Sequence, residues 1–213
     1  VAEMRLYYYP AGSNTVEVLP IGIGQAGRET PRNWVTAVER KQEGPTWSPT
    51  PNTRREYAKE GKTLPAMVPA GPDNPMGHHA IRLAAYGGVY LLHGTNADFG
   101  IGMRVSSGCI RLRDGDIETL FRQVTPGTKV NIINTPIKAS VEPNGVRLVE
   151  VHQPLSEKIN DDPQLLPIVL NASMQTFKNA AQTDSAVMEH AMEIRSGMPV
   201  DVTRHHDVAQ QPM

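Results

Sequence analysis

A mainly β (α+β) fold is predicted from three observations. Short strand patterns come in pairs within residues 1–24 and 80–93, a single amphipathic helical pattern occupies 114–124, and the character of the chain changes after about residue 135. Residues 1–135 are expected to form one domain and 136–213 a small, mixed, partly helical subdomain. In the first pair, Met4-Arg5-Leu6-Tyr7-Tyr8-Tyr9 and Thr15-Val16-Glu17-Val18-Leu19-Pro20-Ile21 flank the turn signal Pro10-Ala11-Gly12-Ser13-Asn14, which predicts a hairpin. Residues 24–77 are crowded with Pro, Gly, Thr and Asn and read as a long, rigidified loop with one local helix at 54–61. A loop of that length in a compact domain is expected to act as a lid or binding surface. Ala80-Ile81-Arg82-Leu83-Ala84 and Val89-Tyr90-Leu91-Leu92-His93, parted by Gly87-Gly88, predict a second hairpin. The helix at 114–124 opens with an acidic cap and repeats apolar residues at 117, 120, 121 and 124, and Lys129-Val130-Asn131-Ile132-Ile133-Asn134 follows as a closing strand. Beyond it, Arg147-Leu148-Val149-Glu150-Val151-His152 reads as a strand, 164–196 holds two helical stretches, and the residues from 202 onward read as a frayed tail.

The composition is that of an ordinary globular chain, with 213 residues, 39% hydrophobic, 20% charged and a net charge of −1. Lysines and arginines are scattered, so the basic stripe that nucleic acid or an anionic membrane requires is missing and neither partner is expected. No run reaches the roughly 18 apolar residues of a membrane span. The opening Val1-Ala2-Glu3-Met4 leads straight into a strand, which reads as a processed or trimmed start whose export signal lies outside the chain.

There is one cysteine, Cys109, so no intramolecular disulfide and no cysteine-built metal site can form. It follows the turn Ser106-Ser107-Gly108, with fifteen residues between it and His93, which ends a hydrophobic strand where a Gly-rich loop begins. A neighbouring imidazole and positive charge favour the thiolate, and Arg104, Arg111 and Arg113 flank the cysteine. Gly108 lets backbone N–H groups point at a developing oxyanion. These residues are compatible with a Cys–His acyl-transfer pair and equally with a structural thiol and histidine.

The run from His93 to Cys109 resembles the signature of the L,D-transpeptidase (YkuD-type) family, a His followed about fifteen residues later by Ser/Thr-x-Gly-Cys. Met4-Arg5-Leu6-Tyr7-Tyr8-Tyr9-Pro10, Gly71-Pro72-Asp73-Asn74-Pro75-Met76-Gly77 and Ser107-Gly108-Cys109-Ile110-Arg111-Leu112 are similar to the enterobacterial branch that anchors Braun's lipoprotein to peptidoglycan. Many members carry His at the position of Ser107 and Asn at that of Arg111. The resemblance implies a β-sandwich-like catalytic fold with one or two helices, followed by the C-terminal subdomain. It implies a periplasmic enzyme without metal or other cofactor. Cys109 attacks the diaminopimelate carbonyl of a tetrapeptide stem and D-Ala leaves; His93 acts as base and then acid, oriented by the Gly94 carbonyl. The thioester passes to the lysine side chain of Braun's lipoprotein, to a second diaminopimelate in a 3→3 cross-link, or to water, and carbapenems acylate the thiol. Gly108, Ser107, Arg111 and Tyr86 are the further candidates for the oxyanion and substrate sites. A periplasmic thiol reductase is an expected partner for a lone thiolate. The rival from another class is a non-catalytic wall-binding module.

Other patterns carry less. Gly22-Ile23-Gly24-Gln25-Ala26-Gly27 spells a dinucleotide fingerprint, but Pro31 follows where a helix should run. His78-His79 and His205-His206 read as surface pairs with no carboxylate cluster in attendance, and Asp161-Asp162 as a solvated loop or cap.

Overall fold

The computed structural model describes residues 1–84 and 90–205, and apart from Ala2 its internal contacts part it between Ile133 and Asn134 into two units. In the first, β1 (Arg5–Tyr8) pairs antiparallel with β2 (Glu17–Pro20), and β3 (Ile23–Gly24) pairs in parallel with β7 (Arg104–Ser106). The main sheet is built from β4 (Trp34–Glu43), β5 (His79–Leu83), β6 (Leu91–His93), β8 (Ile110–Arg111) and β9 (Lys129–Ile132), in the order β8-β6-β5-β4-β9. Two helices accompany it, α1 (Pro51–Lys59) and α2 (Asp114–Gln123). The first hairpin, the antiparallel β5–β6 pair, α2 and β9 lie where sequence pattern predicts them, giving the β-rich class.

The expectation of a continuous loop over 24–77 is corrected by β4, a ten-residue strand bonded on one side to β5 and on the other to β9. Its second half, Glu39-Arg40-Lys41-Gln42-Glu43, has no apolar residue and shows no apolar face, and its register shifts between Val38 and Arg40. Backbone pairing with β5 along one edge, not side-chain burial, holds that half as strand, while β9 pairs only with Trp34 to Ala37. The local helix starts earlier than expected, at Pro51 behind an N-cap in which Thr50 accepts from the Thr53 amide. α2 lacks the acidic cap: its N-cap is Arg113 without a side-chain bond, while Asp114 and Asp116 sit in the first turn. The core of this unit gathers Ile23, Val38, Ile81, Leu83, Leu92, Ile110, Leu112, Ile117, Leu120 and Ile132, all buried. Each such side chain contributes about 1.5–3 kcal/mol by leaving water.

The second unit is an antiparallel sheet of β10 (Ile137–Val141), β11 (Arg147–Val151) and β12 (Pro199–Asp201), in that order, with α3 (Ala172–Asn179) and α4 (Ser185–Ile194). Asn171 and Asp184 cap the two helices through side-chain acceptors. Ile137, Val149, Val151, Met174, Met188, Ala191 and Val202 make its core. Val202, expected in a frayed tail, is therefore an anchor, with Thr203 bridged to Thr183. Among the described residues no helix is long and apolar enough to cross a membrane.

Candidate active site

Two short strands bring the candidate residues together. β6 and β8 run parallel with Leu92 opposite Ile110 and His93 opposite Arg111. Side chains alternate along a strand, so Leu92 and Ile110 turn into the core while His93 and Arg111 share the other face, with Cys109 one alternation before Arg111. The Arg111 charge acts on both the His93 imidazole and the Cys109 thiol, as that shared face requires.

His93 is buried, its carbonyl accepts the Leu112 amide at 2.9 Å, and its Nδ1 lies 2.6 Å from the Gly94 carbonyl oxygen. A carbonyl only accepts, so Nδ1 carries the hydrogen and Nε2 keeps its lone pair. Burial drives the imidazole pKa down to about 4, with the Arg111 charge pulling the same way and the Gly94 carbonyl opposing. Burial likewise pushes the Cys109 thiol up, against the lowering from a backbone hydrogen bond with Leu91 and from Arg111. The resting pair is thus neutral thiol and neutral imidazole. Positive charge does stand beside the cysteine, as its sequence neighbours indicate, but desolvation outweighs it.

The turn before Cys109 is held by Ser106, the first residue of the Ser-x-Gly-Cys pattern, and by Thr30, which no sequence pattern singles out. Buried Ser106 donates from Oγ to the Cys109 carbonyl and accepts the Gly108 amide at 3.2 Å. Buried Thr30 donates to the Gly108 carbonyl at 2.9 Å and accepts the Gly24 amide at 3.0 Å, tying β3 to the turn. Gly108 has φ +109, and a Cβ there would meet Tyr90 Cε1 at 3.1 Å and the Glu29 carbonyl oxygen at 3.3 Å, so a larger residue would be strained and crowded. Its N–H, nominated for the oxyanion, is engaged by Ser106.

Of the three nearby arginines, the structure brings only Arg111 into electrostatic reach of both Cys109 and His93. Its Nε is buried and has no hydrogen-bond partner among the described residues. Arg104 donates to the Gly24 carbonyl at 3.3 Å, and Arg113 is exposed at the start of α2. Ser107 is exposed, 3.4 Å from Arg28 Nη1, and Arg28 is paired with Glu56 on α1. Tyr86 lies outside the described residues; the aromatic ring against the turn is Tyr90, which also packs edge-on to Trp34 with centroids 5.7 Å apart. His78 is exposed and meets the single carboxylate of Asp114, His79 packs on Phe121 with centroids 4.7 Å apart, and among the described residues neither belongs to a group of three metal-binding side chains. Gly22 and Gly24 belong to a bridge and to β3 rather than to a helix-opening loop. Among the described residues, no group of three or more metal-binding side chains includes His93 or Cys109.

A thiol one alternation from a basic side chain that stands opposite a carbonyl-oriented histidine is the arrangement a cysteine acyl-transfer site uses. Residues 1–132 match the L,D-transpeptidase catalytic domain and residues 136–202 the L,D-transpeptidase C-terminal domain, so the chain belongs to the L,D-transpeptidase family. It is 75% identical over 206 residues to the probable L,D-transpeptidase YcfS of Escherichia coli K12, covering 96% of this chain and 64% of that protein. It is 63% identical over 205 residues to the probable L,D-transpeptidase ErfK/SrfK of Salmonella typhimurium, covering 95% of this chain and 65% of that protein. The chain thus spans just under two thirds of the length of these relatives. Among solved structures, an L,D-transpeptidase from Mycobacterium smegmatis is similar with a TM-score of 0.43 and 20% identity, covering 61% of this chain and 54% of that one.

Proposed function

We propose that this chain is a periplasmic L,D-transpeptidase that joins peptidoglycan tetrapeptide stems to the lysine side chain of Braun's lipoprotein, with Cys109 as nucleophile and His93 as base. The observation that carries the reading is the β6–β8 register, which aligns His93 with Arg111 on the face that Cys109 also joins, with Nε2 left as the proton acceptor. In the first half-reaction the Cys109 proton passes to His93 Nε2 as sulfur bonds to the diaminopimelate carbonyl. The bond to D-Ala then breaks, and the proton moves from His93 to the leaving amine. In the second, the acceptor amine gives a proton to His93 and attacks the thioester; the thiolate leaves and is reprotonated. Gly94 keeps the imidazole in one tautomer throughout, in place of a carboxylate. Arg111, whose Nε lacks a partner among the described residues, is suited to a stem-peptide carboxylate, for which a planar guanidinium is the matching donor. Ser107 at the exposed rim is the second substrate contact of this reading.

Intact mass after mixing with a carbapenem tests the chemistry. Addition of the drug mass to the wild type, its loss in Cys109→Ala and its slowing in His93→Ala are expected. No adduct on folded, reduced protein would sink the enzyme reading in favour of a wall-binding module. Muropeptides incubated with and without a lysine-ended peptide test the acceptor: a lysine-linked product is expected, and cross-links alone would assign the 3→3 reaction instead.

A further inference from the structure

The Gly94 carbonyl can orient His93 only if the Gly94 peptide is itself held, and the strand supplies just part of that hold. Gly94 N–H donates to the His79 carbonyl at 3.1 Å, which fixes one side of the residue. Beneath the other side lies Asp114, in the first turn of α2. Its Oδ1 accepts the backbone N–H of His78 at 2.9 Å, and its Oδ2 meets the His78 ring. Gly77, the residue before His78, and Gly94 both abut this carboxylate, for a Cβ built on either would collide with Asp114 Oδ1. A Cβ on Gly77 would also come within 2.9 Å of Gly94 Cα. Gly77 further has φ +63, so the 77–78 turn takes a backbone shape that suits glycine. Two glycines and one carboxylate thus form a close-packed joint directly under the peptide that bonds to His93.

An aspartate in the first turn of a helix already has an ordinary reason to be there, the favourable field of the helix N-terminus. That reason does not account for the direction of the side chain, whose two oxygens go to a segment 36 residues away rather than to the first amides of α2. We propose that Asp114 is a positioning residue: by pinning the His78 backbone and filling the space under Gly94, it fixes the Gly94 carbonyl and through it the plane and tautomer of the His93 imidazole. This rests on the reading of His93 as the base.

The test uses the whole chain, with Asp114→Ala, Asp114→Ser and Asp114→Asn, and two readouts. The first is the ¹⁵N NMR spectrum of the His93 ring without any ligand, which reports the tautomer irrespective of activity. The second is the split of kcat and KM with a tetrapeptide stem, alongside the rate of carbapenem acylation. Asp114→Ala and Asp114→Ser remove the acceptor that reaches His78, and serine remains a good residue for the start of a helix if alanine unfolds the chain. In both, the ring is expected to pass from one tautomer, with hydrogen on Nδ1, to a mixture, and kcat to fall by roughly 10- to 100-fold, the scale of a misplaced catalytic group. KM should stay within about twofold, because Asp114 acts on orientation rather than binding. Asp114→Asn, isosteric and still an acceptor at Oδ1, should restore one tautomer and most of the rate. Folded Asp114→Ala or Asp114→Ser protein with the wild-type ring spectrum and wild-type kcat overturns the proposal. A wild type that forms no carbapenem adduct instead overturns the enzyme reading beneath it.

Discussion

His93 and Cys109 carry opposite pKa shifts with one shared cause. Removing water disfavours the imidazolium and the thiolate alike, so the pair rests uncharged. The rate of carbapenem acylation should therefore show an acid limb centred near 4 rather than near 6.5, because the base is lost only when His93 protonates. A thiolate absorbance at neutral pH, or a limb near 6.5, would contradict the neutral pair. The same shift has a stability consequence. The folded pKa of about 4 lies below the unfolded 6.5, so the contribution is fully present above 6.5 and is lost as pH falls through about 4. Its size is about 3 kcal/mol at the low-pH limit. Urea titrations at pH 7 and pH 4 should show a smaller loss in His93→Gln than in wild type; equal losses would place the acid sensitivity elsewhere. Thr30 is the second residue whose energetics are decided by burial. Thr30→Val keeps the shape but strands the Gly24 amide and the Gly108 carbonyl, each now without its hydroxyl partner. A loss of about 1–3 kcal/mol in denaturant melts is expected, with slower acylation because the Gly108 turn loosens. An unchanged midpoint would mean that water replaces the hydroxyl.

At the scale of elements, α2 does two things: it buries Ile117 and Leu120 against the sheet, and it carries Asp114 to the underside of Gly94. A Cβ on Gly94 would also lie 3.2 Å from Ile117 Cγ2, so the helix face and the catalytic strand end are in contact. Ile117→Ala should lower stability by about 2–5 kcal/mol, read from thermal or denaturant unfolding. A loss below about 1 kcal/mol would show that the site collapses around the smaller side chain. The helix was legible in the sequence because its apolar positions recur at helical spacing, and β1, β5 and β9 because they are short apolar runs beside turn residues. β4 was not legible, because Glu39 to Glu43 offers no apolar period and its strand state comes from neighbours distant in the chain. The same reason hides Thr30 and the contacts that Ser106 and Asp114 make, since contacts are not patterns. Cys109 and His93 were legible from type and spacing, but their charge state was not, since it depends on a burial that no local run encodes.

At the scale of the whole molecule, His93 and Cys109 lie in the first unit and the C-terminal core in the second. The second unit gathers seven buried residues of its own around β10, β11, β12 and the two helices, with Met188 wholly buried at its centre. Arg147 ties that unit together from within, donating to Thr183 Oγ1 at 2.7 Å and stacking over the Phe177 ring at 4.1 Å. Truncating Met188 leaves a cavity that α4 and the sheet cannot fully close, and Met188→Ala should cost about 2–5 kcal/mol within this unit. Native-state hydrogen exchange locates the damage: amides of α3, α4 and β11 should exchange faster while those of β5 and β6 keep their protection. Carbapenem acylation of Cys109 in the same variant should proceed at the wild-type rate, because the bond from His93 to Gly94 and those that Ser106 and Thr30 make to the Gly108 turn all lie within the first unit. If protection in β5 and β6 falls in step with that in α4, the two cores unfold as one and the chain has a single cooperative structure despite its two units.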